Sequence, residues 1–245
     1  MRRDLRAPIV SAVLILTGTS VTAATRVMDP ETPSARSEAR VQSGQIPGIG
    51  WKTADQVPVW KTIRLGGYGS VNALREALDS EGCVPGGLAA GDRRRVVRTA
   101  SRPTHGPDCR LGESAAELIG RPAFHLSRAK DAVDLVILPA TALGFAAGDS
   151  VPLETLYDRA EMLGFALCPA EIGALLRLQY LEQPSGEFLH VAMQPIATYL
   201  GEPTDFTVGN DNSGLLLLGG EARPDTAVPA VTRFVFVKPR PWVQR

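Results

Sequence analysis

"LCPAEIGALLRLQYLEQPSGE", Leu167 to Glu187, decides how the second half of the chain is read. Pro169 has a fixed φ and no N–H, which suits the first position of a helix, and Glu171 places a negative charge where the helix dipole favours one. Ile172, Leu175, Leu176 and Gln179 then recur along one face, and Pro184 with Gly186 ends the element. Only Cys168 is left without a reason in helix formation. A thiol at a helix start is acidified because aligned peptide dipoles favour the thiolate, so Cys168 is the candidate nucleophile. His190, on the next predicted strand, is its candidate base, with Asp205 or Asp211 to orient it. The competing reading is a buried structural cysteine. It carries the greater weight, because "CPAE" matches no cysteine-hydrolase signature and cysteine packs as a small apolar group.

Upstream, Pro152 opens a second helix, in which Leu153, Leu156, Tyr157, Ala160 and Leu163 share a face before Gly164 stops it. The two helices with the strands that follow also fit a helix-turn-helix and wing, with Pro169 to Tyr180 as recognition helix. Arg177 is the only basic residue of that stretch, which is poor for reading DNA. Four strands are predicted downstream: "FLHVAMQPI", "DFTVG", "GLLLLGG" and "TRFVFV", with "NDNSG" as the hairpin loop between the second and third. That loop lacks the register and closing Glu of a calcium site.

In the first half, "WKTIRL" alternates as a strand and Ser70 caps a helix running to Leu78. The intervening Gly66-Gly67-Tyr68-Gly69 fits neither nucleotide-binding glycine pattern and reads as a turn. "GESAAELIG" predicts a short helix, and "VDLVILPA" (Val133 to Ala140) predicts a strand buried on both faces. Between them, residues 81–111 are rich in Gly, Pro and Arg and read as a surface excursion. Arg93, Arg94, Arg95 and Arg98 make it a weak anion-binding candidate, although a solvated loop is the favoured reading because no aromatic residues interleave with the charges. Cys83 and Cys109 bracket the excursion, and in an oxidising compartment a bond between them would staple its base, with a loop-closure contribution of roughly 3 kcal/mol.

Arg2, Arg3 and Arg6, an apolar run from Ala7 to Leu16 and small residues up to Ala24 have the layout of a secretory signal over residues 1–24. The run is too short for a membrane span of about 20 residues, so no integral span is expected once the leader is removed. Translation from Met28 is the alternative. Residues 25–58 are polar and aperiodic and predict a flexible lead-in. The globular part is then 59–245, as one domain or as subdomains 59–140 and 141–245. The 26 basic and 26 acidic residues balance, and without the leader 23 face 25, so no nucleic-acid partner is expected. The histidines are scattered and no C-x-x-C occurs, so neither a metal site nor a cofactor is expected.

From Trp60 to Pro239 the order of these segments resembles a family of uncharacterised bacterial proteins, most specifically through the L-C-P-A-E-x-G-x-x-x-R-L-Q-Y-x-x-Q-P-x-G-E run of Leu167 to Glu187. The resemblance implies an architecture and supplies no catalytic residue. It also implies that the excursion after Ser80 is an insertion, since the family passes there more directly from helix to helix. The expected fold is α+β, an antiparallel C-terminal sheet packed by two helices with a smaller N-terminal α/β part. The expected function is a non-catalytic binding or accessory module, periplasmic or secreted. The alternatives are a Cys168/His190 hydrolase or transferase and a helix-turn-helix DNA binder.

Overall fold

A computed structural model describes residues 51–85 and 109–240. All of the described residues belong to one compact unit. The expected leader and the candidates Arg93, Arg94, Arg95 and Arg98 lie outside the described residues.

The elements follow in this order: β1 Lys61–Arg64, α1 Val71–Ser80, β2 Val84–Pro85, β3 Cys109–Leu111, α2 Glu113–Ile119, β4 Ala132–Pro139, β5 Ser150–Pro152, α3 Leu153–Met162, α4 Glu171–Gln179, β6 Phe188–Ala197, β7 Pro203–Asp211, β8 Gly214–Glu221, β9 Ala227–Pro229 and β10 Arg233–Lys238. The expected cap is present, with Ser70 Oγ accepting the Ala73 N–H at 3.1 Å. Eight strands form one sheet in the order β1-β4-β10-β6-β7-β8-β3-β2, while β5 and β9 form a separate antiparallel ribbon.

This sheet is mixed, which corrects the expectation of a purely antiparallel one. β10 runs parallel to β6, β3 to β8 and β2 to β3, while the other pairs are antiparallel. Composition explains the centre of the order. β4 and β10 carry nearly continuous apolar runs, which need cover on both faces and therefore an interior place. On β10, Phe234 and Phe236 enter one core and Val235 the other, all fully buried.

On one face lie α1, α2 and α4, with Leu74, Leu78, Leu118, Ile172 and Leu176 packed over Leu189, Val191, Phe206, Val208 and Val235. The opposite face is covered by α3 and a 3-10 turn at Ala140–Leu143, with Leu153, Leu156 and Ala160 over Val136, Leu138, Phe234 and Phe236. The two helices expected to pack the sheet, α3 and α4, do so from its opposite faces. Part of the supposed lead-in is also ordered: Ala54 and Val57 are buried, the Ala54 N–H bonds Leu163 O at 2.8 Å, and Trp51 stands edge-on to Phe165.

Cys83 and Cys109 are disulfide-bonded and buried on the α1/α2 side. Both ends of 81–111, expected as a surface excursion, carry strands of the main sheet, and residues 86–108 lie outside the described residues. Cys109–Leu111 pairs with Leu215–Leu217, and Val84 with Arg110. The bond thus ties together the start and the end of the connection between two parallel neighbours.

Candidate functional site

The approach to α4 is built by insertion into the sheet. β10 and β6 pair only through Phe234–His190 and Val235–Val191; further along, Ala166 bridges to Val237 and Cys168 to Met193. The Cys168 N–H donates to Ala192 O at 2.6 Å. Its thiol donates to Val235 O at 3.4 Å, and the residue is 4% exposed. Burial raises the thiol pKa far above its ordinary value. The desolvation cost of a buried anion therefore outweighs the favourable helix dipole, and Cys168 stays a neutral thiol.

The rest of the opening stretch is also accounted for by packing. Gly173 lets α4 approach β7, since a Cβ there would stand 2.6 Å from Phe206 Cγ. Arg177 is fully buried, and its guanidinium donates to Gln183 Oε1 at 2.7 Å, Gly209 O at 2.9 Å and Tyr180 O. Burial lowers its pKa to about 10, which leaves it cationic at neutral pH. Gln183 Nε2 donates in turn to Glu187 O and Val208 O, both at 3.2 Å. The Tyr180 hydroxyl donates to Glu187 Oε2 at 2.8 Å, and Arg233 pairs with Glu187 Oε1 at 2.8 Å. Gln179 covers the free edge of β1, its amide bonding the N–H and C=O of Arg64 at 3.2 and 3.3 Å. The run is a structural cassette that fastens one helix to strands on either side of it.

A cleft of about 380 Å³ opens beside the start of α4, within the size range of small-molecule sites. Its floor includes Cys168, Pro169, Glu171 and Ile196, and its walls include His125 to Ser127 and Gln194. The outer wall comes from an irregularity in β6, whose register with β7 shifts between Val191 and Ile196. Pro195 has no N–H for the ladder, which is where a strand yields a pairing site. Glu171 is 2% exposed; its Oε1 accepts from the Ser127 N–H at 3.0 Å and from the Ser127 hydroxyl.

His190 lies on the other side of the sheet. Leu189, Val191 and Met193 point toward Cys168 and α4, so strand alternation sends His190 the opposite way, where its ring stacks 5.4 Å from Phe234. Its Nδ1 is 3.3 Å from Thr207 Oγ1, and burial lowers its pKa. The structure does not bring Cys168 and His190 together. Asp205 shares the face of His190 and is 1% exposed, with neither carboxylate oxygen hydrogen-bonded among the described residues. Burial raises its pKa well above the carboxylate range. The Tyr157 hydroxyl, also without a partner among the described residues, is raised by burial and then by Asp205. Asp211 lies instead at the β7–β8 turn, bonded to Ser213 and Arg110.

The helix that the helix-turn-helix reading would use for recognition is largely buried. Every residue of α4 from Glu171 to Arg177 is buried, and α3 is across the sheet. No family model matches the chain, and no curated protein and no solved structure is similar to it. The resemblance carried by Leu167 to Glu187 therefore adds no residue role. His125, Ser127 and Gln194 come to the cleft unannounced by the sequence, and only Pro195, a proline inside a predicted strand, signals an irregularity nearby.

Proposed function

We propose that the protein is a binding or accessory module working without covalent chemistry in an oxidising compartment outside the cytosol, with the cleft beside α4 as its ligand site. The observation that carries this reading is the state of Cys168. Its thiol is buried, donates to Val235 O, and leaves the sheet on the face opposite His190. A nucleophile needs a thiolate and a base within about 2.6–3.2 Å, and this residue has neither. The Cys83–Cys109 disulfide supports export, because such bonds persist mainly in oxidising compartments. Among the described residues no helix is long and apolar enough to cross a membrane.

Alkylation tests the reading. Native protein treated with iodoacetamide at neutral pH should keep an unmodified Cys168, and unfolding in urea should expose it to stoichiometric labelling. Rapid labelling of the native thiol would overturn the non-catalytic assignment.

A further inference from the structure

The cleft beside α4 holds a carboxylate that the helix dipole and Ser127 stabilise but that no cationic side chain among the described residues pairs. Among the described residues Glu171 is its only Asp or Glu, and no Lys or Arg lines it. Six ion pairs occur among the described residues, and Glu171 is in none of them. Ser127 occupies Oε1, while Oε2 has no hydrogen-bond partner among the described residues. A carboxylate removed from water and solvated on one side is stabilised by a cation supplied from outside. An anion has the α4 N-terminus in its favour, but it would have to lie against Glu171, which already occupies the first turn where the dipole acts.

The remaining lining sets the rest of the ligand. Leu126, Pro169, Pro195 and Ile196 are apolar, and His125 and Gln194 are exposed at the rim. We propose that this cleft binds a small organic cation, a primary ammonium on a short apolar body, with the ammonium donating to Glu171 Oε2 and the body lying against Pro169, Pro195 and Ile196. The assignment rests on the reading of the cleft as a ligand site and names the chemical class that site takes.

Three probes of one size and different charge decide it: n-butylammonium, 1-butanol and butyrate, titrated into the full-length protein at pH 7 and followed by NMR shifts of Ser127, Ala170 and Gln194. Butylammonium should bind at least tenfold more tightly than the other two. Glu171→Gln, which keeps an acceptor for the Ser127 N–H, should erase that preference, and Ala123→Trp should block all three probes by filling the mouth. Butyrate or butanol binding as tightly as butylammonium in the wild type overturns the proposal without any variant, so a poorly folding Glu171→Gln leaves the test intact. Butylammonium binding unchanged by a folded Glu171→Gln, or no shift with any probe, also overturns it. Failure of the broader non-catalytic reading is separate, since that appears as labelling of native Cys168 whichever probe binds.

Discussion

Replacing Gly173 by alanine sets two effects of opposite sign against each other. In an unconstrained helix the change stabilises by about 1 kcal/mol, because glycine is the poorer helix former. In α4 the new methyl would stand 2.6 Å from Phe206 Cγ and 2.7 Å from Phe206 Cβ and Cδ2. Carbon atoms pack at about 3.5–4.0 Å, so the two must separate by roughly 1 Å. Phe206 cannot yield by rotating, since its Cβ is fixed to the backbone of β7. The helix has to move instead, and Ile172, Leu175 and Leu176, each at most 1% exposed, move with it. Overpacking of this kind costs about 1–3 kcal/mol, and gaps opened under the neighbouring side chains put this site at the upper end. A net loss of about 2 kcal/mol is expected, or roughly 4–8 °C in Tm for a domain of this size. Urea denaturation followed by circular dichroism measures it. Gly67→Ala is the control, since nothing lies within 4 Å of a Cβ there, and it should stay within about 0.5 kcal/mol of wild type. A Gly173→Ala protein as stable as wild type would refute the close approach of α4 to β7.

Removing both halves of the disulfide, as Cys83→Ala with Cys109→Ala, releases a loop with a sequence separation of 26 and should cost about 3 kcal/mol. Reduced wild type should then unfold at nearly the urea midpoint of the double variant, and an unchanged midpoint in both would exclude the bond. Arg177→Lys keeps the charge but replaces a planar fork of donors with one ammonium, so carbonyls of Gly209 and Tyr180 lose partners and about 2 kcal/mol or more should be lost in the same assay. Asp205 has a folded-state pKa raised above its unfolded value of about 3.9, so the neutral carboxyl is the form the fold tolerates. Stability is fully present below the unfolded pKa and falls as pH rises through the folded one. Asp205→Asn removes that fall, so its advantage over wild type should grow from pH 4 to pH 9, and parallel stability curves would show that Asp205 is ionised without cost.

Helices and long strands were readable because their signals are local. Ser70, Pro152 and Gly164 mark boundaries by backbone chemistry that does not depend on the rest of the molecule. The order of strands was less accessible. Continuous apolar residues say that β4 and β10 are covered on both faces, but which strand lies beside which depends on contacts about a hundred residues apart. β3, β5 and β9 have three residues each, too few to show a period. The pairing of Cys168 with His190 failed for a related reason. Alternation along "FLHVAM" already separates His190 from Leu189, Val191 and Met193, yet the strand alone does not say which side α4 will take. The burial of Arg177 is not legible in the sequence, because the stripe Ile172–Leu175–Leu176 leaves it off the apolar face; residues Glu171 to Arg177 are all buried, and the hydrogen-bond acceptors that allow an arginine inside come from β7, Gln183 and Tyr180.

The central position of β10 governs when the sheet can be assembled during synthesis. β1 and β4 form one ribbon, and β6, β7, β8, β3 and β2 form another. The strand that joins them is Arg233–Lys238, the last of the described strands to leave the ribosome. Until then the two ribbons share no backbone ladder, and a nascent chain stalled before residue 233 joins them instead through α4, whose Gln179 bonds Arg64 of β1 and whose Arg177 bonds Gly209 of β7. Sheet closure is therefore a late event set by translation, and deletion of these six residues would divide the sheet in two.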